Sequence, residues 1–241
     1  MATLNRNSNT ISIFLGNGGG GFGTATNFPT NTEASGFTTA DFNGDIYADI
    51  ATSNEFSNNV SLLLGNGAGA LGTATNFAVG TNLPKVIIAA DFNGDSNTDL
   101  ATANSGGSSD VSVLLGNGSG GFSAATNITL FSTFSKGIVG GDFNGDGNLD
   151  LATIDNNIDF ISVTLGNGVG GFVDSTHFAT GTNPKAIISA DVNGDGYADL
   201  VTANGGSSNV SVFLSDGLPL AVSIASFENA HCYGDNHGTA V

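Results

Sequence analysis

DFNGDIYADI, residues 41–50, returns as DFNGDSNTDL at 91–100, DFNGDGNLDL at 142–151 and DVNGDGYADL at 191–200. Start to start, the copies lie 50, 51 and 49 residues apart. The flanking sequence repeats as well. NVSLLLGNG (59–67) recurs as DVSVLLGNG (110–118), FISVTLGNG (160–168) and NVSVFLSDG (209–217). An early copy, TISIFLGNG (10–18), has no acidic stretch before it, and ATLNRNSNTISIFLG (2–16) aligns without gaps on ATSNEFSNNVSLLLG (51–65). The chain thus opens inside a repeat, as a fragment of a longer protein would. A period of ~50 residues belongs to arrays, solenoids and propellers.

Each unit reads as four short strands. KAIISAD (185–191) runs into the acidic loop and DLVTAN (199–204) leaves it. NVSVFL (209–214) alternates apolar and polar residues, the pattern of a half-buried strand. ATNF (25–28 and 74–77) typifies the fourth. Gly-Asn-Gly and Asn-Gly pairs supply the positive φ of hairpin turns. No 3.6-residue periodicity is sustained. The expected fold class is therefore all-β, a β-propeller of four-stranded repeats: four full units and a partial one, hence an incomplete or open propeller.

The loop spacing, Asp-x-Asn-x-Asp-x-x-x-Asp, sets hard oxygen ligands at positions 1, 3, 5 and 9, with a backbone carbonyl at position 7. That donor set suits Ca²⁺, which takes 6–8 oxygens. The candidate ligands are Asp41, Asn43, Asp45, Tyr47 and Asp49 in the first loop and Asp91, Asn93, Asp95, Asn97 and Asp99 in the second. Asp142, Asn144, Asp146, Asn148 and Asp150 form the third set, and Asp191, Asn193, Asp195, Tyr197 and Asp199 the fourth; Tyr47, Asn97, Asn148 and Tyr197 contribute through their backbone carbonyls. About four ions follow, one per complete repeat. Position 12 holds Thr52, Thr102, Thr153 and Thr202 rather than the Glu of an EF-hand. Position 6 is Gly147 and Gly196 in the last two loops but Ile46 and Ser96 in the first two, so the first two are expected to bind more weakly.

The bulk composition agrees. The chain carries 21 acids against four Lys and Arg, a formal charge of −17, and twelve of those acids are loop aspartates. Four divalent ions would bring −17 to −9. So few cations argue against a nucleic-acid partner, and no apolar run reaches the length of a membrane helix. A lone cysteine, Cys232, excludes an internal disulfide framework. GxGxxG patterns at Gly16–Gly21, Gly116–Gly121 and Gly166–Gly171 link strand to strand, so they read as hairpin turns and not as a dinucleotide site. Phe22, Phe122 and Phe172, which close these turns, read as residues packing between blades.

With residues such as GDGYADLVTANGGSSNVSVFL (194–214) in view, the chain resembles the FG-GAP/VCBS repeat family, the calcium-loop β-propeller repeat of integrin α-subunit heads and many secreted bacterial proteins. The likeness covers residues 2–217. It implies a propeller whose first interstrand loop binds Ca²⁺, at the four residue sets above. The "FG" survives in Phe22-Gly23, whereas Thr202-Ala203-Asn204 replaces the "GAP". Residues 1–217 are thus one repeat domain, and 218–241 a linker and the start of another. In that tail, Cys232, Gly234, Asn236, Gly238 and Ala240 resemble the opening of an SprB-type repeat of gliding-motility adhesins; a soft-metal site at His231, Cys232 and His237 has too few ligands.

Lys85, Lys136 and Lys185 share one repeat position, six residues before the first loop Asp. They read as neutralising nearby loop carboxylates, the alternative being a ring that holds an anionic ligand. No catalytic constellation is visible, since His177 stands where other repeats have Asn27, Asn76 and Asn127. The expectation is a non-enzymatic, calcium-binding module of an extracellular or cell-surface protein, serving adhesion, protein interaction or spacing. The alternatives are a carbohydrate-binding, lectin-like propeller or an accessory domain of a larger secreted enzyme. The partner is an extracellular protein or polysaccharide that the sequence does not identify.

Overall fold

The computed structural model describes residues 1–106, 111–130, 134–155 and 157–217, together with the backbone of 223–227. Among them are 19 strands in five antiparallel sheets and a single 3₁₀ turn, Arg6–Ser8. The first sheet has three strands, β1 (Ala2–Asn5), β2 (Thr10–Ile13) and β3 (Thr26–Pro29). The second holds β4 (Ala34–Ala40), β5 (Asp49–Asn54), β6 (Asn59–Leu63) and β7 (Thr75–Ala78). The third holds β8 (Pro84–Ala90), β9 (Asp99–Asn104), β10 (Val111–Leu114) and β11 (Thr126–Ile128). The fourth holds β12 (Ser135–Gly141), β13 (Asp150–Asp155), β14 (Phe160–Gly166) and β15 (Phe172–Ala179). The fifth holds β16 (Pro184–Ala190), β17 (Asp199–Asn204), β18 (Asn209–Leu214) and β19 (Ser223–Phe227). Within every sheet the strands follow chain order, the up-and-down connectivity of a propeller blade. The chain forms two compact units, Met1–Thr129 with three sheets and Leu130–Val241 with two. Residues 228–241, with the SprB-like pattern and His231, Cys232 and His237, lie outside the described residues, as does the linker 218–222.

The core lies between neighbouring sheets of a unit. Val60 and Leu62 of β6 join Phe42, Ile87, Leu100 and Leu114 toward the third sheet, while Leu63, on the other face, packs with Ile50 and Ile11 toward the first. Alternation in sequence predicts half-buried strands. Instead β6 is buried along nearly its whole length, because its alternate residues face a second sheet, and β10 and β14 are buried to a similar extent. In the second unit, Ile154, Ile161, Ile187 and Phe213 form the corresponding layer.

The polar residues of these strands form a ladder across the sheet. Thr52 Oγ1 donates to Asn54 Oδ1, Asn54 Nδ2 to Ser61 Oγ and Ser61 Oγ to Asn76 Oδ1. Thr102, Asn104, Ser112 and Asn127 repeat it, and Asn5, Ser12 and Asn27 form its first-sheet version. In the fourth sheet His177 replaces the last Asn and meets Ser162 Oγ through Nδ1 at 2.9 Å. There Asp155 stands in place of the first Asn and accepts the N–H groups of Phe134 and Asn157 instead. Thr153 Oγ1 is left buried without a partner. Thr153→Val keeps the shape and removes that hydroxyl, so it is expected to raise stability by about 1 kcal/mol, read as a higher urea midpoint; a lower midpoint would show the hydroxyl to be bonded.

Lys85 does not neutralise a loop carboxylate. It reaches Glu55 at 3.4 Å, and Arg6 holds Glu55 and Glu33 at 2.8 Å each. Ser105 Oγ also donates to Glu55. One nearly buried carboxylate thereby ties together three sheets of the first unit, which its position in the turn after β5 makes possible. The expectation for Phe22 also fails. It is 54% exposed, whereas Phe122, its repeat counterpart, stacks edge-on against Phe42 and Phe77 at 5.7 and 5.0 Å.

Candidate metal centre

Each acidic loop joins the first two strands of its sheet, as β4–β5, β8–β9, β12–β13 and β16–β17. The first aspartate organises the turn. Asp41 Oδ1 accepts the N–H groups of Asn43, Gly44 and Asp45, and Oδ2 that of Ile46. Asp91, Asp142 and Asp191 do the same with their own loops. Asn43 Oδ1 accepts from Asp45 N, and Asp45 Oδ1 from Tyr47 N, which bends the chain into one tight circuit. Desolvation pushes the Asp41 carboxyl up, but its four N–H donors outweigh this and hold it below the usual carboxylate range. Asp95 and Asp146 are lowered chiefly by the backbone N–H of Asn97 and Asn148, and Asp191 by those of Gly194 and Gly196.

The third aspartate of each loop, at position 9, is set apart. Asp49, Asp99, Asp150 and Asp199 are wholly buried at the start of the second strand. In each, Oδ2 accepts an N–H from the second loop residue: Phe42, Phe92, Phe143 or Val192. Oδ1 accepts one from the turn after the third strand: Gly65, Gly116, Gly166 or Ser215. This carboxylate is a clamp between loop and turn. A Cβ on Gly65, Gly116 or Gly166 would lie within 2.2 Å of the carbonyl oxygen of Ala48, Thr98 or Leu149, so the approach requires glycine. Burial pushes the Asp49, Asp99 and Asp150 carboxyls up, Asp150 to about 6, and repulsion from the other two aspartates of the same loop adds to it.

That repulsion places three carboxylates of each of these loops within electrostatic reach of one another. They do not yet converge as ligands: among the described residues no group of three acid, histidine or cysteine side chains stands in a metal-holding arrangement. Two contacts account for this. The carboxylate of Asp41 is turned onto backbone N–H groups, and Asn43 Nδ2 donates to Asp45 Oδ2 at 2.9 Å; Asn93, Asn144 and Asn193 repeat the second contact. The donor set nevertheless fits a hard cation, since every side chain offers oxygen with a spare lone pair. The side chains at position 7 are turned away to the neighbouring turn. The Tyr47 ring, like the Asn97 and Asn148 amides and the Tyr197 ring, covers the last glycine of the neighbouring turn. At position 6 the backbone is left-handed in all four loops, with φ of 71° at Ile46, 67° at Ser96, 83° at Gly147 and 94° at Gly196. A β-branched residue there is strained.

The GxGxxG segments are hairpin turns, closed by bridges such as Gly16 to Phe22 and by Asn17 Oδ1 accepting the N–H groups of Gly19 and Gly21. Among the described residues no helix is long and apolar enough to cross a membrane.

Comparison with known proteins agrees with this architecture. No curated protein matches the chain. Among solved structures, the chain is similar to an Agrocybe aegerita lectin that recognises non-reducing terminal N-acetylglucosamine: 22% identity, TM-score 0.62, covering 90% of this chain and 60% of the lectin. It is also similar to a putative 6-phosphogluconolactonase of Bacteroides uniformis, with 14% identity, TM-score 0.73, and coverage of 92% and 66%. A third is virginiamycin B lyase of Staphylococcus aureus, with 14% identity, TM-score 0.59, and coverage of 93% and 65%. At these identities the likeness is one of fold. The chain spans 60–66% of the length of these relatives. The FG-GAP-like repeat model matches residues 1–52, 91–153 and 142–202, which contain all four acidic loops described above. The chain therefore belongs to the FG-GAP-like repeat family.

Proposed function

We propose that this chain is a calcium-binding, non-enzymatic module of a secreted or cell-surface protein, serving adhesion, protein interaction or spacing. The observation that carries the reading is the repeated loop in which a buried clamp carboxylate feels two further carboxylates across a tight turn. Three like charges at that range are a cost that a divalent cation would reverse. Ca²⁺ would be held by the first, third, fifth and ninth residues of each loop and by the carbonyl of the seventh. Its chemistry there is charge neutralisation and stiffening of the turn. Modest-affinity loops of this kind suit millimolar extracellular calcium. The non-enzymatic reading rests on His177, the one histidine among the described residues, being held by Ser162 in the polar ladder.

Calorimetry on the EGTA-dialysed chain is expected to show about four ions in two classes. The loops with Gly147 and Gly196 fill first. Those with Ile46 and Ser96 follow, because left-handed backbone there is costly for residues other than glycine. Asp142→Ala should remove one ion from the tighter class. An isotherm without binding heat, together with a circular dichroism melt that calcium leaves unmoved, would remove the basis of the proposal.

A further inference from the structure

Each compact unit holds two acidic loops, and in each the turn after the third strand of the later sheet touches both of them. In the second unit a single residue makes the connection. Ser215 donates its N–H to Asp199 Oδ1 of the fourth loop at 2.9 Å, and its hydroxyl to the carbonyl oxygen of Phe143 in the third loop at 2.8 Å. Ser215 is buried, so water does not compete freely for either bond. Beside it the third loop and this turn lie in close contact. A Cβ on Gly145 would fall 2.9 Å from the Gly217 carbonyl oxygen and 3.1 Å from the Tyr197 ring of the fourth loop.

The first unit makes the same link with other donors. The Gly116 N–H donates to Asp99 of the second loop, and the Gly120 N–H, in the same turn, to the carbonyl oxygen of Phe42 in the first loop at 2.9 Å. Thr98 Oγ1 of the second loop also donates to the carbonyl oxygen of Asp41 at 3.3 Å. The fourth loop has Ala198 in place of Thr98, and Ser215 stands where the other sheets have Gly65, Gly116 and Gly166. The acceptor recurs as the carbonyl of the second loop residue, while the donor changes from a backbone N–H to a hydroxyl.

We propose that the acidic loops act as two coupled pairs, one in each unit, with Ser215 the positioning residue that joins the pair of the second unit, so that ordering one loop of a pair orders the other. The proposal rests on the calcium reading above for the ion that does the ordering, and on these hydrogen bonds for the coupling. With a cation bound, the third loop fixes the Phe143 carbonyl. That carbonyl holds the Ser215 hydroxyl, and the Ser215 N–H holds an oxygen of Asp199, a candidate ligand of the fourth loop. The second ion then meets a loop already ordered and does not bear that entropy again, which makes binding positively cooperative. By reciprocity the fourth loop favours the third by the same factor. The tighter class of ions expected above is therefore one cooperative pair, since Gly147 and Gly196 belong to the same unit.

The test is calorimetry on the 241-residue chain with Asp41→Ala and Asp91→Ala silencing the first unit, which gives the overall calcium constant of the remaining pair. Asp191→Ala and Asp142→Ala, each added singly, give the two single-loop constants. The titrations run at ~0.15 M salt, where repulsion between the two ions is screened beyond about 8 Å. The pair constant is expected to exceed the product of the single-loop constants by at least about fivefold. Ser215→Ala, which removes only the hydroxyl, should bring that ratio close to one, and so should Ser215→Gly, which restores the residue of the other sheets. Amide hydrogen exchange in EGTA reads the coupling without the ion. Asp142→Ala frees the N–H groups that Asp142 holds in the third loop. It should speed exchange at position 215 and at Val192, the two N–H groups on Asp199, at least about fivefold relative to the amides of β17, and should not do so in the Ser215→Ala background. A pair-to-product ratio near one in the parent overturns the proposal, as does a ratio that both Ser215 variants leave intact. Absence of binding heat would defeat the calcium reading by itself. Exchange then decides: transmitted acceleration upholds the coupling, and its absence overturns it.

Discussion

Replacing Asp99 with alanine is expected to destabilise the first unit by roughly 2–5 kcal/mol, more than any single substitution of the exposed loop ligands. The reason is geometric. Asp99 is fully buried and its two oxygens satisfy two separate backbone N–H groups, of Phe92 and Gly116. Alanine leaves both donors buried without partners, and each such loss costs about 1–3 kcal/mol. In a chain of this size that is a fall in melting temperature of roughly 5–15 °C. Asp99→Asn should be intermediate: it keeps one acceptor oxygen, sets an amide N–H against the other donor, and removes the repulsion from Asp95 and Asp91. Asp95→Ala is the contrasting control, because Asp95 is exposed and its contacts stay within the loop. Urea melts of the three variants in EGTA give the order. An Asp99→Ala midpoint equal to the parent's would show that the clamp carries no stability.

The clamp also marks the boundary of what the sequence reveals. The four-strand unit, the loop positions and the hairpin turns follow from spacing and glycine placement, and β17 and β18 begin and end where DLVTAN and NVSVFL do. Strand patterning reports one face at a time, so it missed that β6 is covered on both. The ligand spacing treats positions 1, 3, 5 and 9 alike, yet Asp49 is buried with two long-range N–H partners whereas Asp45 is exposed. Only three-dimensional contact with the Gly65 turn separates them. The polar ladder did leave a signal. Thr52, Asn54, Ser61 and Asn76 recur as Thr102, Asn104, Ser112 and Asn127, which are polar residues at fixed positions in otherwise apolar strands. The Arg6–Glu55–Lys85 tie left no such signal, because it joins three sheets through residues that do not repeat together.

Calcium removal is the change with the largest expected effect, and its pH dependence tests the loop chemistry. If each loop binds calcium only in the folded state, a hundredfold excess over Kd contributes about 2.7 kcal/mol per site, so EGTA should lower the melting temperature at pH 7.5 by far more than any substitution above. Protonation acts on the same carboxylates. In the calcium-free chain, burial and the charges of Asp146 and Asp142 push Asp150 up to about 6, from an ordinary value of 3.8. Between those values the folded state holds a proton that the unfolded state has lost, so calcium-free stability rises as pH falls from 7 through 6. Below about 4 the sign reverses, since Asp41, Asp95, Asp146 and Asp191 are held below their ordinary value and must then be protonated. Calcium binding needs ionised carboxylates, so its contribution shrinks over the interval in which the calcium-free chain gains. The gap between melting temperatures in calcium and in EGTA should therefore be widest near pH 7.5 and narrow steadily toward pH 5. A gap that is absent at pH 7.5, or that keeps its width down to pH 5, would mean that these carboxylates and the cation do not share one site.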